Sequence, residues 1–192
     1  MNESIRMFLV LVGVTTTCGL LLSGAHDITH ERITLQRLRY IEGPAIRSVL
    51  ADADNDPLVD RKTVDVSGNE ITLFEGKREG RLIGIALETE ALGYGGPIQV
   101  ISGFHPASGE CIAVAIAGAS ETPGVGTKVM EKSFTGRFSG LKLTSEAALT
   151  SAGGSVDGVS GATISSKAVC RAVADAQKLF ASVYPSLKEG KQ

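Results

Sequence analysis

The hydrophobic pattern of the chain changes character twice. From Met7 to Ala25 the sequence MFLVLVGVTTTCGLLLSGA is uncharged and apolar on every side. At 1.5 Å per residue such a helix reaches about 28 Å, close to a hydrocarbon core of ~30 Å. The run predicts a single membrane-crossing helix, with residues 1–25 forming a short N-terminal tail and anchor. Thr15, Thr16 and Thr17 lower its hydropathy, but their hydroxyls can bond back to helix carbonyls. From Asp27 to Leu50, Ile33, Leu35, Leu38, Ile41, Ile46, Val49 and Leu50 recur among charges. This spacing predicts helix, interrupted at Gly43-Pro44, with Pro44 suited to the first turn of a second helix. Residues 26–62 therefore read as a helical connector ending in the polar, turn-rich ADADNDPLVD of residues 51–60.

Beyond residue 63 the period becomes that of strands. Ile71 to Phe74, Arg81 to Glu88, Ile98 to Phe104 and Cys111 to Ala117 are short, β-branched and apolar, with glycine-bearing turns between them. They predict an antiparallel sheet of about four strands. The last element repeats at helical spacing: Ile164, Ala168, Val169, Ala172, Val173, Ala176, Leu179, Phe180 and Val183 share one face, and Lys167, Arg171, Asp175 and Lys178 the other. Pro185 is expected to close it, leaving residues 186–192 as a frayed tail. The fold class is α+β: one N-terminal transmembrane helix, then a domain over residues 63–185 in which helices flank an antiparallel sheet.

Composition narrows the function. Among 192 residues the net charge is only −2 and no basic stripe appears, so nucleic acid is not an expected partner. Cys18, Cys111 and Cys170 form no CxxC and have no histidine at ligand spacing, so no metal site is expected. Cys111 and Cys170 read as small buried hydrophobes, and spacing neither requires nor forbids a disulfide between them. The aspartates of residues 51–60 lack the glycine and terminal glutamate of a calcium loop and read as a solvated loop. His105 reads as a solvated turn residue without a partner. The apolar run also fits a cleavable signal peptide, with Arg6 before it and Ser23-Gly24-Ala25 after it. A lipoprotein signal at Cys18 fits poorly behind three threonines. Arg32, Arg37 and Arg39 follow the run and only Arg6 precedes it, which by count places the C-terminal side inside, although long domains weaken that rule.

Three glycine-bearing stretches remain: GYGGPI at 93–98, ETPGVG at 121–126 and DGVSGAT at 157–163. Each has an ordinary explanation. The first can be a tight bend. The second can be a type II turn centred on Pro123 and Gly124; it has the wrong residue order for a phosphate loop and no third glycine for a dinucleotide fingerprint. The third can be a loop with Ser160 or Thr163 as helix N-cap. Thr163 stands where the helix begins, so a phosphate attached to its hydroxyl would meet free backbone N–H groups and the positive end of the helix dipole. With no histidine base nearby, Thr163 reads as a group acted upon by another enzyme. Gly158, Gly161 and Ala162 leave room for that enzyme.

Taken together and in this order, the three stretches resemble the hallmarks of the FMN-binding domain family, and most closely the G-type members found in the Rnf (Rsx) electron transport complexes. The related C-type members of sodium-pumping NADH:quinone reductases share the motif and are usually longer. Val125 stands where leucine is usual, one methylene fewer. The resemblance implies FMN in phosphoester linkage to Thr163, installed from FAD by an ApbE-type flavin transferase with Mg²⁺. It implies a flavin site shaped by Tyr94, Gly95, Glu121, Thr122, Gly124 and Val125, with Ser160, Gly161, Ala162 and Ser165 around the attachment point. Asp157 and Gly158 would serve motif recognition; the flavin itself would be the only catalytic group. It further implies a redox component of a complex coupling ferredoxin and NAD⁺ oxidoreduction to Na⁺ or H⁺ translocation, with the A, B, C, D and E types of Rnf protein as partners. The flavin domain would lie on the periplasmic side of the cytoplasmic membrane. Two other functions fit the same residues: a tethered flavin shuttle outside any pump, and a colourless scaffold domain.

Overall fold

The computed structural model of the chain describes residues 3–66 and 69–189. Helix α1 spans Glu3–Arg37, and its stretch Glu3–Thr29 is long and apolar enough to cross a membrane. Leu20, Leu21 and Leu22 are all about 70% exposed or more, as expected of a surface that meets no protein. Thr15 and Thr17 donate their hydroxyls to the carbonyls of Leu11 and Gly13, which hides two polar groups within the helix. The chain to Tyr40 and the chain from Ile41 form separate compact units. The expected interruption near Gly43-Pro44 takes the form of a π-helical turn, Leu38–Glu42, followed by helix α2, Gly43–Val49, with the proline in its first turn.

The sheet has five strands rather than about four, antiparallel throughout and in the order β1-β2-β3-β4-β5. They are β1 (Arg61–Val66), β2 (Asn69–Arg78), β3 (Arg81–Leu92), β4 (Pro97–Phe104) and β5 (Cys111–Ala119). β1 is the unexpected one, because RKTVDV is an edge strand whose side chains are mostly exposed and carry little apolar signal. Alternation separates two faces. Leu73, Ile85, Leu87, Val100 and Phe104 join the main core, whereas Phe74, Ala86 and Ile101 face the other way. On that second face α2 settles into space left by glycines: a Cβ on Gly103 would lie 2.3 Å from Val49 Cγ1, and one on Gly84 2.6 Å from Leu50 Cδ2.

Helix α4, Thr163–Glu189, covers the main core. Val169, Ala172, Val173, Ala176 and Phe180 are fully buried, and the Phe180 ring stacks on Phe104 at 4.9 Å. At roughly 1.5–3 kcal/mol for each large apolar side chain, this packing outweighs any cap at the helix ends. Pro185 does not close the helix, which continues to Glu189. A proline deletes one ladder bond and crowds one carbonyl, and here the backbone stays helical on both sides of it. Residues 190–192 of the expected tail lie outside the described residues. Ile164, expected on the buried face, is 54% exposed in the first turn.

Between β5 and α4 the chain is irregular, with short helical turns and a short helix α3 (Lys132–Thr135). Gln177 of α4, buried, organises part of it: its Nε2 donates to the carbonyls of Lys142 and Ser145, and its Oε1 accepts the N–H of Ala147. The aspartate-rich turn of residues 51–60 is tied down as well. Asp60 accepts hydrogen bonds from Asn55 and Lys77, which hold its carboxyl below the usual range, and Asp54 accepts the N–H of Glu79. No cluster of metal-ligating side chains occurs among the described residues. His105 does have a partner: its Nδ1 accepts the N–H of Ala107 across its own turn.

Cys111 and Cys170 are buried in the main core and unpaired. Burial alone raises their thiols from an ordinary 9.0 to about 12 and about 11. Both are expected to resist a thiol reagent at neutral pH until the domain unfolds, because the thiolate is the reacting form. The stability gained by keeping them neutral runs opposite to that of a paired carboxylate. A raised folded pKa means that folded thiols hold their protons while unfolded ones lose them, so stability falls as pH rises from 9.0 through about 11 and about 12. Peptide mapping after alkylation checks the protection; rapid labelling of either cysteine in the folded chain would contradict it.

Candidate functional site

Three turns from distant parts of the chain meet around one cleft of about 590 Å³. The first joins β3 to β4. The second follows β5, where Gly124 takes a positive φ and the Val125 N–H donates to the Thr122 carbonyl at 3.3 Å, the type II turn expected for Pro123-Gly124. The third precedes α4: Ala162 N–H donates to Val159 O at 3.0 Å, again with a positive-φ glycine, Gly161, inside the turn.

Glu121 ties the first two turns together. Its side chain is buried, and Oε1 accepts the backbone N–H of Tyr94 at 2.8 Å and, more weakly, that of Gly95 at 3.4 Å. The approach is close enough to exclude side chains. A Cβ on Gly95 would fall 2.1 Å from the Ser120 carbonyl oxygen, and one on Gly126 2.3 Å from Glu121 Oε2. That second oxygen is buried and has no hydrogen-bond partner among the described residues. An orphaned buried acceptor of this kind is costly, of the order of 1–3 kcal/mol, and it belongs to a residue that lines the cleft.

On the opposite side the N-cap of α4 is Ala162, not Ser160 or Thr163. The Ser166 N–H makes the first helical bond to the Ala162 carbonyl, and Thr163 is the first helical residue. Alanine has no side-chain oxygen to cap with, so the free N–H groups of the first turn remain available to an anion. Of the four hydroxyls between Asp157 and Ser166, those of Ser165 and Ser166 belong to buried residues, and Ser166 Oγ accepts the Val159 N–H at 3.0 Å. Ser160 and Thr163 are exposed.

Of the residues singled out in the sequence, Tyr94, Glu121, Thr122, Val125, Gly161, Ala162, Thr163 and Ser165 line this one cleft. Gly95, Gly124 and Ser160 lie in its turns without lining it, and Asp157 and Gly158 precede it, exposed. Gly126, which closes the ETPGVG stretch, lines it too; Ile164 lines it without having been expected there, because the helical period assigns it to the core face. The wall is mainly apolar, with Tyr94, Val125 and Ile164 at 73%, 47% and 54% exposure. A wall of that kind with a few convergent polar groups suits a planar heteroaromatic ligand, and the volume lies in the range of small-molecule sites. A phosphorylated flavin fits it: apolar walls for the ring, the uncapped helix start for the phosphate, and the buried Glu121 carboxylate within the wall.

Arg137 also bears on the site, and nothing local in the sequence marks it. Its Nη1 donates to the carbonyls of Asp157 and Gly158, so it holds the start of the third turn from twenty residues away in sequence.

Residues 93–178 match the family model of the FMN-binding domain. The chain is 29% identical over 191 residues to the G subunit of the ion-translocating oxidoreductase complex of Methanosarcina acetivorans, covering 98% of each chain. It is 33% identical to the protein of that name from Stutzerimonas stutzeri, over 88% of this chain and 75% of the relative. It is 27% identical to the G subunit of the proton-translocating ferredoxin:NAD(+) oxidoreductase complex of Clostridium ljungdahlii, over 88% and 89%. Among solved structures, NqrC of Shewanella oneidensis superposes with a TM-score of 0.55 at 21% identity, over 67% of this chain and 69% of that one, a likeness of fold. The chain belongs to the family of G subunits of ion-translocating oxidoreductase complexes.

Proposed function

We propose that this chain is the covalent-FMN electron-transfer component of a membrane-bound Rnf-type complex, one that couples ferredoxin and NAD⁺ oxidoreduction to the movement of Na⁺ or H⁺. The observation that carries the proposal is the exposed hydroxyl of Thr163 on the uncapped first turn of α4, at the wall of a cleft that Tyr94, Glu121 and Val125 also line. Bound there, FMN supplies a carrier for one or two electrons.

The chain's own residues hold and orient it. The first-turn N–H groups and the dipole of α4 favour the phosphodiester. Tyr94, Val125 and Ile164 offer apolar contact to the ring, and the Glu121 carboxylate lies buried in the wall beside it. Attachment balances as a phosphoryl transfer. The Thr163 hydroxyl oxygen bonds to the FMN-side phosphorus of FAD, the pyrophosphate bond breaks, AMP leaves, and the hydroxyl proton is released. No side chain at Thr163 is arranged to catalyse this, so the reaction belongs to a separate ApbE-type flavin transferase with Mg²⁺.

The apolar stretch of α1 supports a single-pass anchor in the cytoplasmic membrane. We place the flavin domain on its outer side, where a covalent link prevents loss of a cofactor that the cytoplasm could not readily replace. Full-length similarity to G-type relatives favours the other Rnf proteins as partners. Intact mass of the chain, purified from a host with a flavin transferase, tests the reading. The expected gain is FMN less one water, mapped to the peptide containing Thr163. Unmodified chain in a fully active complex would refute it.

A further inference from the structure

The segment that presents Thr163 is rich in glycine and has little of its own to hold it in one shape. Gly158 and Gly161 leave it wide backbone freedom, yet three side chains fix it from outside. Thr150 Oγ1 donates to Asp157 Oδ1 at 3.1 Å, Ser166 Oγ accepts the Val159 N–H at 3.0 Å, and Arg137 Nη1 donates to the carbonyl of Asp157 and, at 3.4 Å, to that of Gly158. The guanidinium is itself anchored. Its Nε donates to the Ser133 carbonyl at 3.0 Å, and its carbon lies 5.7 Å from the centroid of the Phe134 ring. That ring is fully buried and packs edge-on against Phe138. A planar fork that reaches carbonyls of two segments while resting on an aromatic face is a task that arginine performs and lysine does not.

We infer that Arg137 is a positioning residue for flavin attachment: it holds Asp157 and Gly158 in the shape in which the transferase receives Thr163. The inference rests on the reading of Thr163 as the flavin acceptor. Arg137 and the loop are exposed, so both carbonyls can turn to water when the arginine is lost, and the fold keeps its core. What changes is the fraction of time the loop spends in the competent shape. Apparent affinity falls in proportion to that fraction, while the chemical step, once the loop is bound, is unchanged.

The test is flavin transfer to the full chain in detergent, with purified transferase, FAD and Mg²⁺, followed by intact mass. For Arg137→Ala, KM for the acceptor chain is expected to rise on the order of tenfold, with kcat within about twofold of wild type and the melting temperature little changed. Arg137→Lys should fall between, and Thr150→Val, which removes a separate anchor, should move KM the same way. A wild-type KM in Arg137→Ala overturns the inference and leaves the acceptor reading intact. A fall in kcat at constant KM also overturns it, by making Arg137 part of the chemistry. A rate loss in all three variants that follows only the loss of folded protein assigns the arginine to stability instead. Wild-type chain that takes no flavin at all removes the acceptor reading and the inference with it.

Discussion

Thr163→Ala is expected to give a folded chain that acquires no covalent flavin in a host where the wild type is fully modified. The loss should be complete, because the linkage needs the hydroxyl oxygen. The other hydroxyls nearby are poor substitutes: Ser165 and Ser166 are buried, and Ser166 Oγ already accepts the Val159 N–H. Ser160 is comparably exposed but sits inside the turn, ahead of the helix start that would hold the phosphate, and Thr122, exposed in the same cleft, lies on a different turn. Stability should barely move. Thr163 is an exposed first-turn residue, alanine is the better helix former, and surface changes of this kind stay within about 0.5 kcal/mol. Thr163→Ser retains the oxygen and should be modified, more slowly. Intact mass and a thermal melt on the three proteins check this. Covalent flavin on Thr163→Ala would move the attachment site, with Ser160→Ala as the next variant to make.

What could be read from the sequence depended on how local its cause was. The period of α4 and the small-residue segment before it placed Thr163 at a helix start, and the structure has Thr163 as the first helical residue. The type II turn at Pro123-Gly124 was equally legible, since its geometry is set within four residues. The cap was misassigned because Ser160 and Thr163 have capping oxygens and Ala162 has none; the positive φ of Gly161 turns the chain so that Ala162 takes the cap position anyway. β1 escaped notice because its alternation is short: Val64 and Val66 flank an exposed Asp65, behind three exposed residues. The contacts that assemble the cleft had no local trace. Glu121 reaches Tyr94 across 27 residues and Arg137 reaches Asp157 across 20. Only the order of the three stretches, read through family resemblance, pointed to their meeting.

Glu121 separates two roles that a single substitution can confuse. Removing the side chain, as in Glu121→Ala, leaves the Tyr94 and Gly95 N–H groups without their acceptor and opens space beside Gly126. The expected cost is about 1–3 kcal/mol, seen as a melting temperature lower by several degrees. The loops should part, and the flavin absorbance should shift with the ring's surroundings. Glu121→Gln retains the shape and an oxygen to accept from Tyr94, so its melt should stay near wild type. It removes the carboxylate charge, however, and places an amide where Oε2 lacked a partner. A negative charge buried in the wall of the cleft opposes adding electrons to a ring bound there. Its removal should therefore raise the flavin midpoint potential, on the order of tens of millivolts for a unit charge at an effective dielectric near 20. A redox titration of covalently loaded Glu121→Gln and wild type measures the difference. An unchanged potential in Glu121→Gln together with a lowered melt in Glu121→Ala would leave Glu121 as a tie between two turns and remove it from the electrostatics of the flavin. A raised potential with an unchanged melt in Glu121→Gln assigns it both tasks: one oxygen holds the first turn against the second, and the other sets the field in which the ring is reduced.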